Sequence, residues 1–502
     1  MASTDGTTTP TMLEKAPAPL EALSLDKSWD PTKLSWQRKA HVVFAGFTCT
    51  FNGNMGSSMP SGALDAIADE FHVSQKIHLT LLNSLYMIGY VLGPLIFGPL
   101  SEYIGRRPVM IGTFLGYLVF TLACSAAPTY GALLALRLLC GINAAAPTTV
   151  ISGLYADILD NPSQRGFALS TYMTVTTFGP MIGPIISGYS SPVSWRWPFW
   201  AAGLIAAPGL PIVLTIPETF APVLYNKMIK ERIKTGGGGH TGGCASTELQ
   251  PFNVRKIFLR PMTLLVTEPI LFSTAIYLAL AYSVFYLLFQ AYPIVYQDFY
   301  GLAPGPAALA YLPVALGVVL SMVVFYVFNN YYNRSARAGK SWAQREINRR
   351  LPIACIASPW CATLFSLLTV PLLTTASMTI SLFWLGWTTF RTISPIVVSL
   401  GGILWGVGFQ LIFMGMSNYL TDVFRQHSAS AQAASSMTRS IGAVVLPLAA
   451  PAMYGDLGLH WAPSLLAFIA LAMGLIPFAF IRYGDALAKR SRYAQAVDLP
   501  KE

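Results

Sequence analysis

The chain has 502 residues, of which 54% are hydrophobic and only 11% are charged, and its formal net charge is +10. Soluble domains carry about 25% charged residues, so this composition excludes an ordinary soluble protein. A net positive charge favours binding to nucleic acid or to an anionic membrane surface. The positions of the charges along the chain decide between these two partners.

The first 40 residues are rich in Thr, Pro, Ala and Ser. They lack the apolar core of a secretion signal. We therefore expect 1–40 to be a disordered cytoplasmic tail.

Apolar runs of about 20 residues, the length that a helix needs to cross the hydrocarbon core, recur along the rest of the chain. Unpaired backbone groups are costly in lipid, so these runs should be helical. The prediction is an all-α integral membrane protein with twelve transmembrane helices in two six-helix bundles. The predicted spans are 41–64, 78–100, 109–127, 131–155, 167–189, 197–216, 264–296, 306–328, 351–387, 394–420, 429–454 and 461–481.

The Lys and Arg residues are distributed unevenly between the loops. With the N-terminus inside, 27 of the 32 fall in the tails and the inward loops, and only three fall in outward loops. Basic residues near spans stay cytoplasmic, so both termini should be cytoplasmic. The positive charge is therefore a topology signal, and we expect no nucleic-acid partner.

The stretch GPLSEYIGRRP, residues 98–108, separates the second and third runs. Gly98 permits a close helix approach, and Gly105 permits a left-handed turn. Arg106 and Arg107 hold the loop on the cytoplasmic side. We predict a gate here, although an ordinary basic hairpin is the alternative.

Glu102 is the acid of this loop. A carboxylate is stabilised at a helix N-terminus, and the start of the eleventh span is the partner that we expect for it. Such a contact would join the two halves and lock an outward-open state. Asp157 is a further gate residue, which we expect to pair with the arginines of the loop or with Arg165.

Arg137 lies inside the fourth span, where a charge is expensive and marks a functional hypothesis. Arginine cannot release its proton, so Arg137 would act on a nearby acid or an anionic group. The alternative is a structural arginine held by backbone carbonyls.

The fifth span contains Gly179, Pro180, Gly183 and Pro184 within TFGPMIGPIISG. Small residues allow tight helix contact, and prolines free carbonyls and bend a helix. We expect a bent, closely packed helix between the halves. Packing alone, without a role in coupling, is the alternative.

A basic loop with several glycines joins the two predicted bundles. The predicted division is a bundle at 41–217, a linker at 218–263, a bundle at 264–482 and a cytoplasmic tail at 483–502. The glycines lack the Gly-Lys-Ser/Thr ending of a phosphate loop, so a nucleotide site is not expected. The six cysteines show no metal or disulfide spacing, and we expect neither metal nor cofactor.

Polar and aromatic side chains recur at helical spacing in three spans. Lipid disfavours polar groups, so these faces should point inward, where aromatic rings can bind flat or cationic bodies. Contact between helices alone is the alternative. The candidate cavity residues are Asn83, Tyr86 and Tyr90, then Tyr282, Tyr286 and Gln290, and finally Gln410, Met414 and Asn418.

No acid lies clearly in the middle of a span. If transport is coupled to protons, Asp65 and Glu268 are the candidates for the carrier. A uniporter would need neither residue to titrate.

The ninth apolar run, Leu351 to Trp387, is longer than one tilted crossing needs. Two crossings would place the basic C-terminal tail outside, against the charge rule. We predict a single crossing with a kinked or re-entrant excess at roughly Trp360 to Thr379.

These motifs together resemble the major facilitator superfamily, in particular its fungal twelve-span drug:proton antiporters, over nearly all of residues 40–490. The loop at 98–108 is similar to the signature between spans two and three, with Glu102 where Asp is commoner. The remaining matches are LALRLLCGINAAAP around Arg137, the Gly-Pro pairs of span five, PETFAPVL, TEPI, NYLTD and RSIGAVVLPL.

The resemblance implies export of hydrophobic or cationic small molecules in exchange for protons, by a protein that is not an enzyme. We expect a monomer in the plasma membrane, with the vacuolar membrane as the alternative. A polyamine exporter and an uncoupled facilitator are alternatives within the fold. A transporter-like sensor would need a long cytoplasmic tail. A membrane-embedded enzyme would need a paired-acid, histidine or nucleophile site, and none is visible in the sequence.

Overall fold

The computed structural model describes residues 31–160, 162–225, 227, 254–340, 377–424, 428–477 and 479, and within these ranges the regular structure is helical throughout. The first half contains α1 (Trp36–Ser58), α2 (Leu64–Phe71), α3 (Lys76–Ile104), α4 (Arg106–Ser125), α5 (Tyr130–Ala144), α6 (Ala146–Ile158), α7 (Pro162–Ser190), α8 (Trp197–Ala206) and α9 (Gly209–Leu214). The second half contains α10 (Val254–Thr267), α11 (Pro269–Tyr292), α12 (Pro304–Ala308), α13 (Tyr311–Arg337), α14 (Ser377–Thr388), α15 (Pro395–Phe424) and α16 (Ser428–Met473).

Eight stretches of the described chain are long and apolar enough to cross a membrane. The all-α membrane fold class is therefore confirmed, and the count of twelve spans stays a prediction. The range of α16 includes Gly458, whose φ of 74° and ψ of −179° are not helical, so two helical segments follow one another there. Large apolar side chains such as Phe44, Val119, Leu204 and Val323 are exposed on the outside, as lipid contact requires.

Several predicted spans differ in detail from the structure, and those at 131–155 and 197–216 are each divided between two helices. The run at 264–296 breaks at Glu268, whose φ and ψ of −107° and 104° are extended. The cause is Pro269, because a residue before proline is disfavoured in helical geometry. The run at 306–328 continues as helix to Arg337. Most of Trp360 to Thr379 lies outside the described residues.

Each half is packed mainly through its own helices. In the first half α3 packs against α5 and α1 against α7, and in the second half α11 packs against α16 and α13 against α15. The halves meet along α3 with α16, and along α7 with α13. We call the end at which α3 begins the Lys76 end and the end at which α4 begins the Arg106 end.

Candidate functional site

The loop between α3 and α4 makes a tight turn at Gly105, whose φ is 107°. Glu218, which follows α9, accepts hydrogen bonds from the backbone N–H of Arg106 at 2.9 Å and of Arg107 at 3.1 Å. A side chain at Gly105 would collide with the Glu218 carboxylate. The Glu218 carboxylate therefore accepts hydrogen bonds from N–H groups at the start of α4 that have no partner within the helix. The helix dipole also favours a negative charge at this position.

The side chain of Arg106 is buried at the same place. Its Nη1 donates to Ser101 Oγ at 2.6 Å, and its guanidinium lies 5.0 Å from the centre of the Phe220 ring. Its Nε lies 3.6 Å from Oδ2 of Asp157, which is an ion-pair distance beyond hydrogen-bond range. Arg106, Asp157 and Glu218 thus form one charged cluster inside the first half.

The other loop residues make weaker contacts. Arg107 Nη2 donates to the Leu214 carbonyl at 3.3 Å, and a side chain at Gly98 would only touch Thr149, at 3.8 Å. Glu102 is exposed. The side chains at the start of α16, its expected partners, lie outside the described residues.

Arg137 is buried on α5 and donates three hydrogen bonds to backbone carbonyls. Nε reaches Leu82 at 3.1 Å, Nη1 reaches Gly56 at 2.7 Å and Nη2 reaches Ser57 at 3.0 Å. The Gly56 carbonyl would pair with the N–H of residue 60 in a continuing helix, but Pro60 has none. The guanidinium of Arg137 provides the missing donor for this carbonyl. The centre of the Tyr86 ring lies 4.4 Å from the guanidinium carbon.

These contacts of Arg137 are those of a structural arginine, which was one of the two readings of the sequence. In the described residues no carboxylate forms an ion pair with it. Its role in coupling therefore has no direct geometric support.

The span-five motif lies on α7 against α1. A side chain at Gly179 would lie 2.9 Å from the Phe51 carbonyl, and one at Gly183 would lie 2.8 Å from the Met55 carbonyl. Ser58 Oγ donates to the Pro180 carbonyl at 2.7 Å, which lacks a helical partner because residue 184 is also proline. The close helix packing is present, mainly within the first half.

The candidate cavity residues are all buried. Asn83 donates to Ser61 Oγ at 2.8 Å and Tyr86 to the Gly53 carbonyl at 2.5 Å, so both stabilise the first half. Asn418 donates to the Met414 carbonyl of its own helix at 2.8 Å. Tyr90, by contrast, has a buried hydroxyl without a partner among the described residues.

The span-seven residues connect the halves. Tyr286 OH lies 3.0 Å from Ser57 Oγ, and Thr80 Oγ1 donates to Gln290 Oε1 at 3.4 Å. Tyr282 stands beside this pair, with its ring 5.1 Å from that of Tyr286.

A salt bridge joins the halves beyond these residues. Lys76 Nζ lies 2.7 Å from Asp298 Oδ2, with both side chains largely exposed. Together with the contacts of Tyr286 and Gln290, this salt bridge connects the two halves at the Lys76 end.

The two acids proposed as proton carriers have different surroundings. Asp65 is exposed on the short helix α2, and partial desolvation followed by the charge of Asp298 raises its pKa. Glu268 is 2% exposed at the break between α10 and α11, and its Oε2 has no hydrogen-bond partner among the described residues. Of the two, Glu268 is the acid enclosed by protein.

Arg439 on α16 is a second arginine in the interior. Its guanidinium lies 4.9 Å from the centre of the Phe413 ring and 5.8 Å from that of Tyr282. Its Nη1 is buried without a hydrogen-bond partner in the described part of the chain, as are both amide atoms of Gln410. Arg439 and Gln410 thus have buried polar atoms without partners in the described chain, whereas the guanidinium of Arg137 donates to three carbonyls.

Known proteins match this chain over most of its length. A sequence model of the Major Facilitator Superfamily matches residues 46–400. The chain belongs to the major facilitator superfamily. The "Efflux pump FUB11" of Gibberella moniliformis is 34% identical to it over 467 residues, which are 91% of this chain and 74% of the relative. The "Major facilitator superfamily multidrug transporter mdrA" of Aspergillus fumigatus is 34% identical over 481 residues, 93% of this chain and 75% of the relative.

A solved structure supports the same fold. The superfamily's proton:xylose symporter XylE, bound to 6-bromo-6-deoxy-D-glucose, superposes with a TM-score of 0.62 at 15% identity and covers 89% of this chain and 96% of its own. At that identity the likeness concerns the fold alone. This superfamily member is therefore a multi-pass membrane transporter and not an enzyme.

Sequence reasoning missed three features of this superfamily member. Glu218 was read only as part of a family motif, although a lone acid just after a span could have indicated a cap. Arg439 was placed inside a span and within a motif but was not named as a site residue, although the rule for arginines inside spans applied to it as it did to Arg137. The bridge from Lys76 to Asp298 left no sequence signal, because the two residues are 222 positions apart.

Proposed function

We propose that this transporter exports small organic molecules from the cell by alternating access, in exchange for protons. The observation that carries the proposal is the set of contacts that join the halves at the Lys76 end. Two six-helix halves that meet at one end can rock around a central site and open the other. The efflux and multidrug names of the relatives support the direction of transport.

We assign the Arg106 end to the cytoplasm, because Arg106 and Arg107 lie there and basic residues next to spans stay cytoplasmic. With this orientation both termini are cytoplasmic, and the conformation described is closed on the outside. The exposed Glu102 fits this state, since its proposed contact with the second half belongs to the opposite state. We propose that the protein is a monomer in the plasma membrane. Residues 218–263 are the proposed linker between its two bundles.

For the proton we propose Glu268 as the carrier, ahead of Asp65. Glu268 Oε2 is buried and has no hydrogen-bond partner among the described residues, so no described contact has to break when it takes up a proton. Exposed carboxylates such as Asp65 already exchange protons with water in every state.

The alternative of a polyamine exporter would require acidic cavity walls. The charged side chain beside the candidate cavity residue Tyr282 is instead that of Arg439, which is positive, and the buried acid Glu268 lies 14 residues from Tyr282 along the chain. A polycationic cargo such as a polyamine would be repelled by this charge. We therefore prefer the proposal that the protein exports other small organic molecules.

Uptake into inside-out vesicles under an imposed pH gradient tests the proposal, with a panel of flat aromatic acids, amides and amines. We expect uptake of panel members that depends on the gradient and is absent without the protein. Glu268→Gln should remove the dependence on the gradient but retain exchange of labelled for unlabelled cargo, whereas Asp65→Asn should behave as the parent.

Two results would count against the proposal. Uptake that proceeds equally with and without the gradient in the parent would make the protein a facilitator. Absence of uptake for the whole panel, together with uptake in right-side-out vesicles, would reverse the direction.

A further inference from the structure

Arg439 carries a charge that the described protein does not neutralise. Arginine stays protonated in proteins, so the group remains cationic inside the bundle. Buried charges are normally paired, because an unpaired ion loses several kcal/mol of solvation. Among the described residues the ion pairs involve Lys76, Arg106 and Arg196, and Arg439 is in none of them.

The acids on α15 and around α11 are many residues along the chain from the two rings that contact Arg439. Asp422 follows Phe413 by nine residues on α15, which is about 13 Å of helix. In span seven and just beyond it, Glu268 and Asp298 are separated from Tyr282 by 14 and 16 residues, or about 21 and 24 Å of helix. The two rings that contact Arg439 contribute about 0.5–2 kcal/mol each, which is less than the lost solvation.

The position of Arg439 makes it reachable by a molecule between the halves. Tyr282, whose ring it contacts, lies 5.1 Å from the ring of Tyr286, and the hydroxyl of Tyr286 reaches Ser57 of the first half at 3.0 Å. Its side chain is only partly buried, although Nη1 is enclosed. The guanidinium therefore faces the seam around which the halves would rock.

The walls beside the charge are flat and aromatic. The Phe409 ring stacks at 10° on that of Phe413 and at 29° on that of Tyr282, at centre distances of 6.1 and 6.3 Å. Planar conjugated bodies stack on such rings, and a guanidinium matches a carboxylate with two parallel hydrogen bonds. The positive charge of Arg439 and the flat rings beside it therefore both favour a planar molecule that carries a carboxylate.

We propose that Arg439, with the rings of Phe413 and Tyr282, binds the carboxylate of an aromatic or conjugated organic acid, and that such acids are cargo of this transporter. The statement about cargo rests on the proposed function, whereas the binding site does not. A protonated amine would meet the repulsion of Arg439, so the site discriminates against cationic drugs.

Equilibrium binding to the purified full-length protein in detergent tests this site with three probes that share one ring system: 2-naphthoate, 2-naphthamide and 2-naphthylmethylammonium. Hydrogen bonds to charged groups are worth about 1.5–3 kcal/mol, so naphthoate should bind the parent about tenfold to a hundredfold more tightly than the amide. The ammonium probe should bind most weakly. Acetate, which lacks the ring, should compete poorly with naphthoate.

Variants locate the effect. Arg439→Gln should abolish the preference for naphthoate while naphthamide affinity changes less than about twofold, and Arg439→Lys should keep part of the preference because the charge remains. Arg391→Gln is the matched control, since Arg391 also lies over a ring, that of Phe299 at 5.7 Å, but on the exposed surface. It should bind all probes as the parent does.

The site assignment is overturned if the parent binds amide or ammonium as tightly as naphthoate, or if it binds none of the three. It is equally overturned if Arg439→Gln, recovered as a monodisperse protein, weakens all three probes alike, since that describes a packing role. Selective binding without vesicle uptake would overturn the exporter proposal alone. Uptake of other panel members without naphthoate binding would overturn this inference alone.

Discussion

The surroundings of the two interior arginines, Arg137 and Arg439, differ in what their polar groups contact. Arg137 donates to three carbonyls, one of which Pro60 leaves without a helical partner. Arg439 has two rings beside it and a buried nitrogen without a partner in the described chain. The same residue type therefore stabilises the first half and remains available for a ligand in the second.

The largest expected effect is on stability at the first arginine. Arg137→Ala leaves three buried carbonyls without this donor, and we expect unfolding to become easier by about 3 kcal/mol or more. Arg439→Ala should lower the melting temperature far less, because it removes no hydrogen bond to the described protein. Thermal melting of both purified variants measures the difference, and equal losses would erase the contrast between the two sites.

A change in the packing of α7 on α1 should have the next largest effect. Gly183→Leu places atoms against the Met55 carbonyl, and overpacking of this kind costs about 1–3 kcal/mol. Gly166→Leu on the same helix is the control, because a side chain there meets nothing within 4 Å. If both variants melt alike, contact at Gly183 does not determine stability.

Loss of the carboxylate at the start of α4 should have a smaller effect. Glu218→Gln keeps the shape but removes the charge at the helix N-terminus, which should cost about 1 kcal/mol. Glu102→Gln changes an exposed acid of the adjacent loop and should leave the melting temperature as it is. A larger loss for Glu102→Gln would indicate that this acid, rather than Glu218, holds the loop.

The smallest effect on stability is expected at Gln410. Both of its amide atoms are buried without partners in the described residues, so Gln410→Leu should leave the melting temperature unchanged or raise it slightly. If the second half holds cargo through open polar groups, the same variant should weaken naphthoate binding. A clear loss of stability would show that the amide is paired in the folded protein.

Much of the fold followed from the sequence because the bilayer limits the choices. Apolar runs of spanning length must be helical in lipid, and the described helices follow these runs, with breaks such as those at Ala145 and before Pro269. Local backbone features could also be predicted, namely the turn at Gly105 and the carbonyls freed by the prolines of span five. These features depend on neighbours in the chain.

The partners of the side chains could not be read from the sequence in the same way. The spacing of Tyr282 and Tyr286 indicated one face of a helix, but not that Tyr286 would contact Ser57 across the seam. Arg137 and Arg439 both lie inside apolar spans, and the contacts of Arg137 depend on Pro60, which lies between α1 and α2. Such contacts depend on the tertiary arrangement.

The most direct test of the account is a reversible cross-link across the Lys76 end. In the Lys76→Cys, Asp298→Cys double variant, a short bifunctional thiol reagent should stop vesicle transport, and a reductant should restore it, because the halves must separate there. Glu70→Cys with Arg196→Cys, a pair whose parent side chains lie 3.3 Å apart within the first half, should transport normally when cross-linked, as should the parent treated with the reagent. Transport at the parental rate with Lys76 and Asp298 positions cross-linked would contradict alternating access by relative movement of the halves.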